Sequence, residues 1–139
     1  MIVRAVGASL LVTVAAAAPA GASALRRHRL LLPTPPLPRS LTVDESEYTV
    51  VPSERVVGSG TVTFRVYDRG QDEHNLTIQG PLTSTGAGRL RGQVWMKSGG
   101  MATIVAKLPA GKYKLYCSMF AGTPQSHEML GMNTVITVR

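Results

Sequence analysis

The chain has 139 residues, 17% of them charged, with a formal net charge of +7 and a single cysteine, Cys117. Five of its fifteen basic residues, Arg4, Arg26, Arg27, Arg29 and Arg39, fall within the first 39 positions, which leaves ten Lys/Arg against eight Asp/Glu beyond them and no broad positive face for nucleic acid. A lone cysteine excludes an internal disulfide, so the thiol is an inert buried group, a link to another chain or a metal ligand.

Residues 1–24 place Arg4 before an apolar run from Val6 to Ala18 and a tail of small residues ending at Ala22, Ser23 and Ala24. That is the pattern of a secretory signal peptide, with cleavage expected between Ala20 and Leu25. The expected location is therefore secreted or periplasmic, on the extracytoplasmic face, with membrane association as the alternative if the signal stays uncleaved. Residues 25–39, LRRHRLLLPTPPLPR, carry four prolines between Pro33 and Pro38 and read as a stiff basic tether, since proline neither donates to a strand nor continues a helix. Its arginines suit association with an acidic surface, or simply mark a positive-flanked export junction. Residues 40–139 have the length of one small domain.

That domain reads as strands. LTVDESEYTVV is a weak first strand with Tyr48 and Val50 toward one face, and GTVTFRVYDRG alternates clearly, with Val62, Phe64 and Val66 on one side and Thr61, Thr63, Arg65 and Tyr67 on the other. In EHNLTIQG, His74 shares the parity of Leu76 and Ile78, so the imidazole is aimed with the core side chains. PLTSTGAGRLRG is turn-rich and predicts a loop or irregular crossing, followed by a short strand around Val94 to Met96 and another from Ala102 to Leu108. The turn from Pro109 to Lys112 reverses the chain into YKLYCS, where Tyr113, Leu115 and Cys117 share one face. A helical turn is expected near Ser126 to Leu130, and NTVITVR closes the domain as a strand in which Val135 interrupts strict alternation, as in a strand buried between layers. Seven or so short strands in a hundred residues predict an all-β sandwich or barrel.

Cys117, His127 and Met132 gather near the C-terminus, and His74 joins them from an earlier strand. Each alone has an ordinary reading: a buried thiol, a loop histidine, a core methionine, a histidine paired with Asp72 or Glu73. Together they supply one thiolate, two imidazoles and a weak thioether, the donor set of a type 1 copper site. Thiolate and thioether favour Cu(I) while imidazole accepts both copper states, so one site can hold either without exchanging ligands. Gly131 lets the chain turn back sharply before Met132. Met119 and Met129 are the competing thioethers, with Met119 expected to pack with Phe120 over the site.

The segments DRGQDEHNLTIQG and LPAGKYKLYCSMFAGTPQSHEMLGMNTVITVR resemble the copper-binding pattern of the cupredoxins, the small blue copper proteins, over about Leu41 to Arg139. The resemblance implies a single-domain Greek-key β-sandwich of two sheets holding one copper ion at one end. It implies His74, Cys117, His127 and Met132 as metal ligands, and Asn75 as a cofactor-binding residue beyond them that ties the ligand segments together and donates its amide toward the cysteine sulfur. The chain departs from familiar members in the nine residues, Ser118 to Ser126, between cysteine and second histidine, while its His127-to-Met132 spacing is similar to the rusticyanin arrangement.

The function so implied is a monomeric, secreted carrier of single electrons that docks transiently on a redox protein partner and passes the electron along the His127 edge. The alternative is an extracytoplasmic copper carrier or buffer without electron exchange. No stable small-molecule substrate and no nucleic acid is expected. The residues do not point to an enzyme, because copper–oxygen chemistry needs further histidine clusters and the third histidine, His28, lies in the tether. Gly58 and Gly60 are strand-entry glycines rather than a nucleotide fingerprint.

Overall fold

The computed structural model describes residues 34–139; the expected signal and the tether as far as residue 33 lie outside the described residues. The described chain forms nine strands: β1 (Ser40–Ser46), β2 (Thr49–Pro52), β3 (Val56–Val57), β4 (Gly60–Asp68), β5 (His74–Gly80), β6 (Arg89–Met96), β7 (Met101–Leu108), β8 (Gly111–Tyr116) and β9 (Asn133–Val138). They make two sheets, one in the order β2-β1-β4-β7 and the other β3-β9-β8-β5-β6, stacked as an all-β sandwich. Period-two alternation supplies the filling between the sheets. Val62, Phe64 and Val66 of β4 face Leu76 and Ile78 of β5 and Tyr113 and Leu115 of β8 in one core cluster, all fully buried. Each such side chain contributes about 1.5–3 kcal/mol of transfer free energy.

Sheet order explains why distant residues meet. In the second sheet β8 lies between β5 and β9, antiparallel to both, with Thr77 opposite Tyr116 and Tyr116 opposite Asn133. The start of β5, the end of β8 and the start of β9 therefore share one edge of the sandwich. His74 opens β5, Cys117 follows β8 and Met132 precedes β9.

Several expectations need correction. The first segment is a hairpin, not one strand: the chain turns between β1 and β2, where the Ser46 and Thr49 hydroxyls lie 2.9 Å apart, so Val50 is buried but Tyr48 sits at the turn, half exposed. The two-residue β3 is too short to leave a pattern. Strand β6 begins at Arg89, inside the stretch read as a loop, and it escaped notice because an edge strand with mostly exposed side chains carries little hydrophobic alternation. Gly92 there is required by space: a Cβ would lie 2.7 Å from Ile104 of the facing sheet. In β9, Val135 is exposed while Ile136 and Val138 are buried, so one face of that strand meets solvent. The carbonyls of Pro38 and Arg39 accept hydrogen bonds from the Gly58 and Thr63 amides.

Candidate metal centre

At the shared edge, the side chains of His74, Cys117 and His127 converge, their nitrogen and sulfur atoms all within 4.8 Å of one another. His74 Nδ1 lies 3.3 Å from His127 Nδ1, which lies 3.5 Å from Cys117 Sγ. His74 and Cys117 are fully buried and His127 is 5% exposed.

The loop between β8 and β9 delivers two of these groups. Its backbone bonds close on themselves: the Cys117 amide donates to the Met132 carbonyl at 3.0 Å, the Met132 amide to the His127 carbonyl at 2.9 Å, and the His127 amide to the Met119 carbonyl at 3.2 Å. A single helical turn, Leu130 N–H to the Ser126 carbonyl at 3.0 Å, carries His127, and Gly131 ends it at φ 117°, a conformation that suits glycine. The Lys114 ammonium fastens the loop to β8 through Glu128 at 2.6 Å. Met132 is fully buried and bonded by its backbone to the other two loop residues of the set, whereas Met129 is 75% exposed. Met119 is partly buried against the core, and Phe120 lies over the His127 ring with centroids 5.4 Å apart.

Asn75 joins the two halves of the site. Its Oδ1 accepts from the Ser118 amide at 2.9 Å, the Ser118 hydroxyl at 3.1 Å and the Thr77 hydroxyl at 3.3 Å. Its backbone N–H points at Cys117 Sγ from 3.5 Å. Burial pushes the Cys117 thiol up, more than the amides of Asn75 and Met119 pull it down, and the carboxylates of Glu45 and Asp68 push the same way. Burial, then the neighbouring His74, hold His127 below the usual imidazole range. The metal-free cluster at neutral pH is thus a thiol beside a neutral His127 imidazole, ready to take a cation that displaces the thiol proton.

Sequence reasoning missed the carboxylates behind His74. Asp72 and Glu73 line a cavity of about 230 Å³ beside Met119, Phe120 and His127. Glu47 Oε1 and Asp68 Oδ1 are the ones facing His74 Nε2, at 3.4 and 3.9 Å. Glu47 is pushed down to about 2, chiefly by the Asp72 amide. Glu45, fully buried, is pushed up to about 8 by burial and then by Asp68. A sequence signal for two of them existed: Glu45 continues the buried parity of Leu41 and Val43, and Asp68 that of Val62, Phe64 and Val66. A charge on a core parity marks a polar end to an apolar strand face.

A thiol, two imidazoles and a buried thioether-bearing residue at one edge fit copper by donor chemistry, since soft sulfur and borderline nitrogen are what that ion takes. The His127 ring is not presented edge-on to solvent: Tyr48 packs against it with centroids 5.2 Å apart, and Phe120 covers it further.

No family model and no curated protein matches the chain. Solved structures do. A reduced auracyanin from the photosynthetic bacterium Roseiflexus castenholzii is 19% identical, with TM-score 0.57 over 74% of this chain and 98% of that one. Auracyanin A of Chloroflexus aurantiacus, a "blue" copper protein, is 17% identical, with TM-score 0.52 over 73% and 99%. A multicopper oxidase is 13% identical, with TM-score 0.51 over 76% of this chain but only 45% of its own. The sandwich is thus the cupredoxin-type blue-copper fold.

Proposed function

We propose that the chain is an exported one-copper electron carrier, with His74 and His127 bound through Nδ1, Cys117 as thiolate and Met132 as thioether. The observation that carries this reading is the buried triad of His74, Cys117 and His127, its donor atoms within 4.8 Å, at one edge of a cupredoxin-type sandwich. Copper bound there supplies a one-electron Cu(II)/Cu(I) couple. The protein's part is to hold the ligands still and dry. The ring of backbone bonds through Cys117, Met119, His127 and Met132, together with the Asn75 clamp on Ser118, leaves the ligand set little freedom to rearrange when charge changes.

Partner contact falls to the rings and chains over His127. Phe120, Met129 and Leu130 are 55%, 75% and 47% exposed, an apolar surface for the brief, small contact of a redox encounter, in which electrons cross through Phe120 or Tyr48 rather than a bare imidazole edge. The step from His127 to Met132 supports a spacing similar to rusticyanin's, while the nine-residue stretch Ser118–Ser126 lengthens the path from the cysteine to the second histidine beyond that of familiar members. Residues 1–24 would direct export and 25–39 space a monomeric domain from the surface it leaves.

Voltammetry of the copper-loaded protein tests the carrier role against copper storage. A carrier gives a reversible wave with fast electron exchange; a site that accepts copper but cannot be cycled without losing it is a store, and the electron-transfer reading then fails.

A further inference from the structure

We infer that Glu47, backed by Asp68, is a positioning group for His74: it fixes the imidazole as the Nε2–H tautomer, turns a bare Nδ1 into the cluster, and biases the occupied site toward its oxidised ion. Only the last clause rests on the copper reading.

His74 Nε2 is buried and has no aligned hydrogen-bond partner. The groups around it are acceptors, Glu47 Oε1 at 3.4 Å and Asp68 Oδ1 at 3.9 Å. A bare nitrogen lone pair facing two carboxylate oxygens is repelled; a proton on that nitrogen is attracted. A neutral ring has one N–H, so placing it on Nε2 leaves Nδ1 with a free lone pair. That is the atom 3.3 Å from His127 Nδ1.

The carboxylates are themselves pinned by successive amides of one short loop, the one between β4 and β5. Gly70 donates to Asp68 Oδ1 at 2.9 Å, and Gln71 and Asp72 donate to Glu47 Oε1 at 2.7 and 2.8 Å. Gly70 makes the approach possible. A Cβ there would lie 2.5 Å from Glu47 Oε1 and 2.7 Å from His74 Nε2, so any other residue must separate the carboxylate from the ring. The loop, the turn after β1 and the first residue of β5 are thereby built as one unit around Nε2, with Ser98 holding the Gly70 carbonyl at 2.7 Å.

A carboxylate on the far N–H of a metal-binding imidazole orients the ring and raises its basicity, and losing such a partner typically weakens metal binding 10–100-fold. Added negative charge favours the more highly charged ion, so the loss falls mainly on Cu(II). Each tenfold difference in loss between Cu(II) and Cu(I) raises the one-electron potential by about 59 mV.

The test has a metal-free arm and a loaded arm. Nitrogen-15 NMR of the apoprotein's histidines should find His74 protonated on Nε2 alone, with Glu47→Ala giving a mixture of tautomers and Glu47→Gln, which keeps an acceptor oxygen, giving less of one. Gly70→Ala should resemble Glu47→Ala. In the loaded protein, Glu47→Gln should raise the potential, with Cu(II) affinity lowered about tenfold or more and Cu(I) affinity lowered less. A wild-type apoprotein with His74 protonated on Nδ1, or Glu47 variants that lose thermal stability while tautomer and potential stay put, overturns the inference. If the chain takes no copper, the copper reading fails, and the tautomer measurements still decide the hold on His74.

Discussion

In the metal-free protein, Glu45→Gln will abolish most of a fall in stability that the wild-type chain undergoes between about pH 4.5 and about pH 8. The Glu45 carboxyl is fully buried, neither oxygen has a hydrogen-bond partner, and its strand neighbour is the equally buried Asp68. Ionising it there is costly, which is why its pKa rises from 4.5 to about 8. The folded state therefore binds the proton more tightly than the unfolded state. Below pH 4.5 both states hold it and nothing is lost; as pH rises from there to about 8 the unfolded state gives it up first and stability drains away. The full difference is on the order of 5 kcal/mol, an upper bound because the interior can relax around the charge. Glu47 works in the opposite direction: with its pKa pushed down to about 2, it contributes stability above pH 4.5 that is lost on acidification. Urea unfolding at several pH values checks this. The wild type should weaken toward pH 8 and the glutamine variant should not; parallel profiles for the two would refute it.

Asn75→Ala should destabilise the fold by about 2–4 kcal/mol and weaken copper binding by at least about tenfold. The Asn75 side-chain oxygen receives three hydrogen bonds in a fully buried position, and alanine leaves the Ser118 amide and hydroxyl and the Thr77 hydroxyl without that acceptor. The cost is moderated because Asn75 Nδ2 is itself buried without a partner, so its removal relieves one unpaired donor. Freed from the clamp, the residue after Cys117 no longer holds the sulfur against the Asn75 amide. Thermal unfolding and competitive copper titration measure the two effects; a loss under about 1 kcal/mol with unchanged copper affinity would show the clamp to be idle.

What the sequence disclosed was parity, and parity was enough for the core and for the direction of the key side chains. His74 travels with Leu76 and Ile78, and Cys117 extends the run of Tyr113 and Leu115, because side chains on a strand alternate whatever the partner strands do. The same alternation made an all-β sandwich or barrel legible, and the resemblance to the cupredoxins supplied the choice of a two-sheet sandwich. The turn at Glu47 and Tyr48 was not: its one mark is that the buried positions shift parity across it, from Leu41, Val43 and Glu45 to Val50 and Pro52, and a shift over so short a stretch reads as a weak strand. Strand β3 has two residues, and β6 has so few buried side chains that its pattern is that of a loop. The surroundings of His74 were hidden for a different reason. Its nearest acidic residues in sequence, Asp72 and Glu73, line the cavity beside His127, while Glu47 and Asp68 face the ring, a pairing decided by how β1 and β4 lie against the loop before β5. Tyr48 over His127 is likewise a contact between segments 79 residues apart. Local pattern cannot report such contacts; it can only mark Glu45 and Asp68 as charges on a core face.

The most direct measurement is a titration of the purified, metal-free domain with Cu(II), with Cys117 kept reduced, followed by visible absorption. The account predicts an intense thiolate-to-copper band that grows to one equivalent, bleaches on reduction, returns on oxidation, and is missing from Cys117→Ser. A colourless protein with an intact thiol, a band that survives Cys117→Ser, or a site that takes zinc and refuses copper would contradict it.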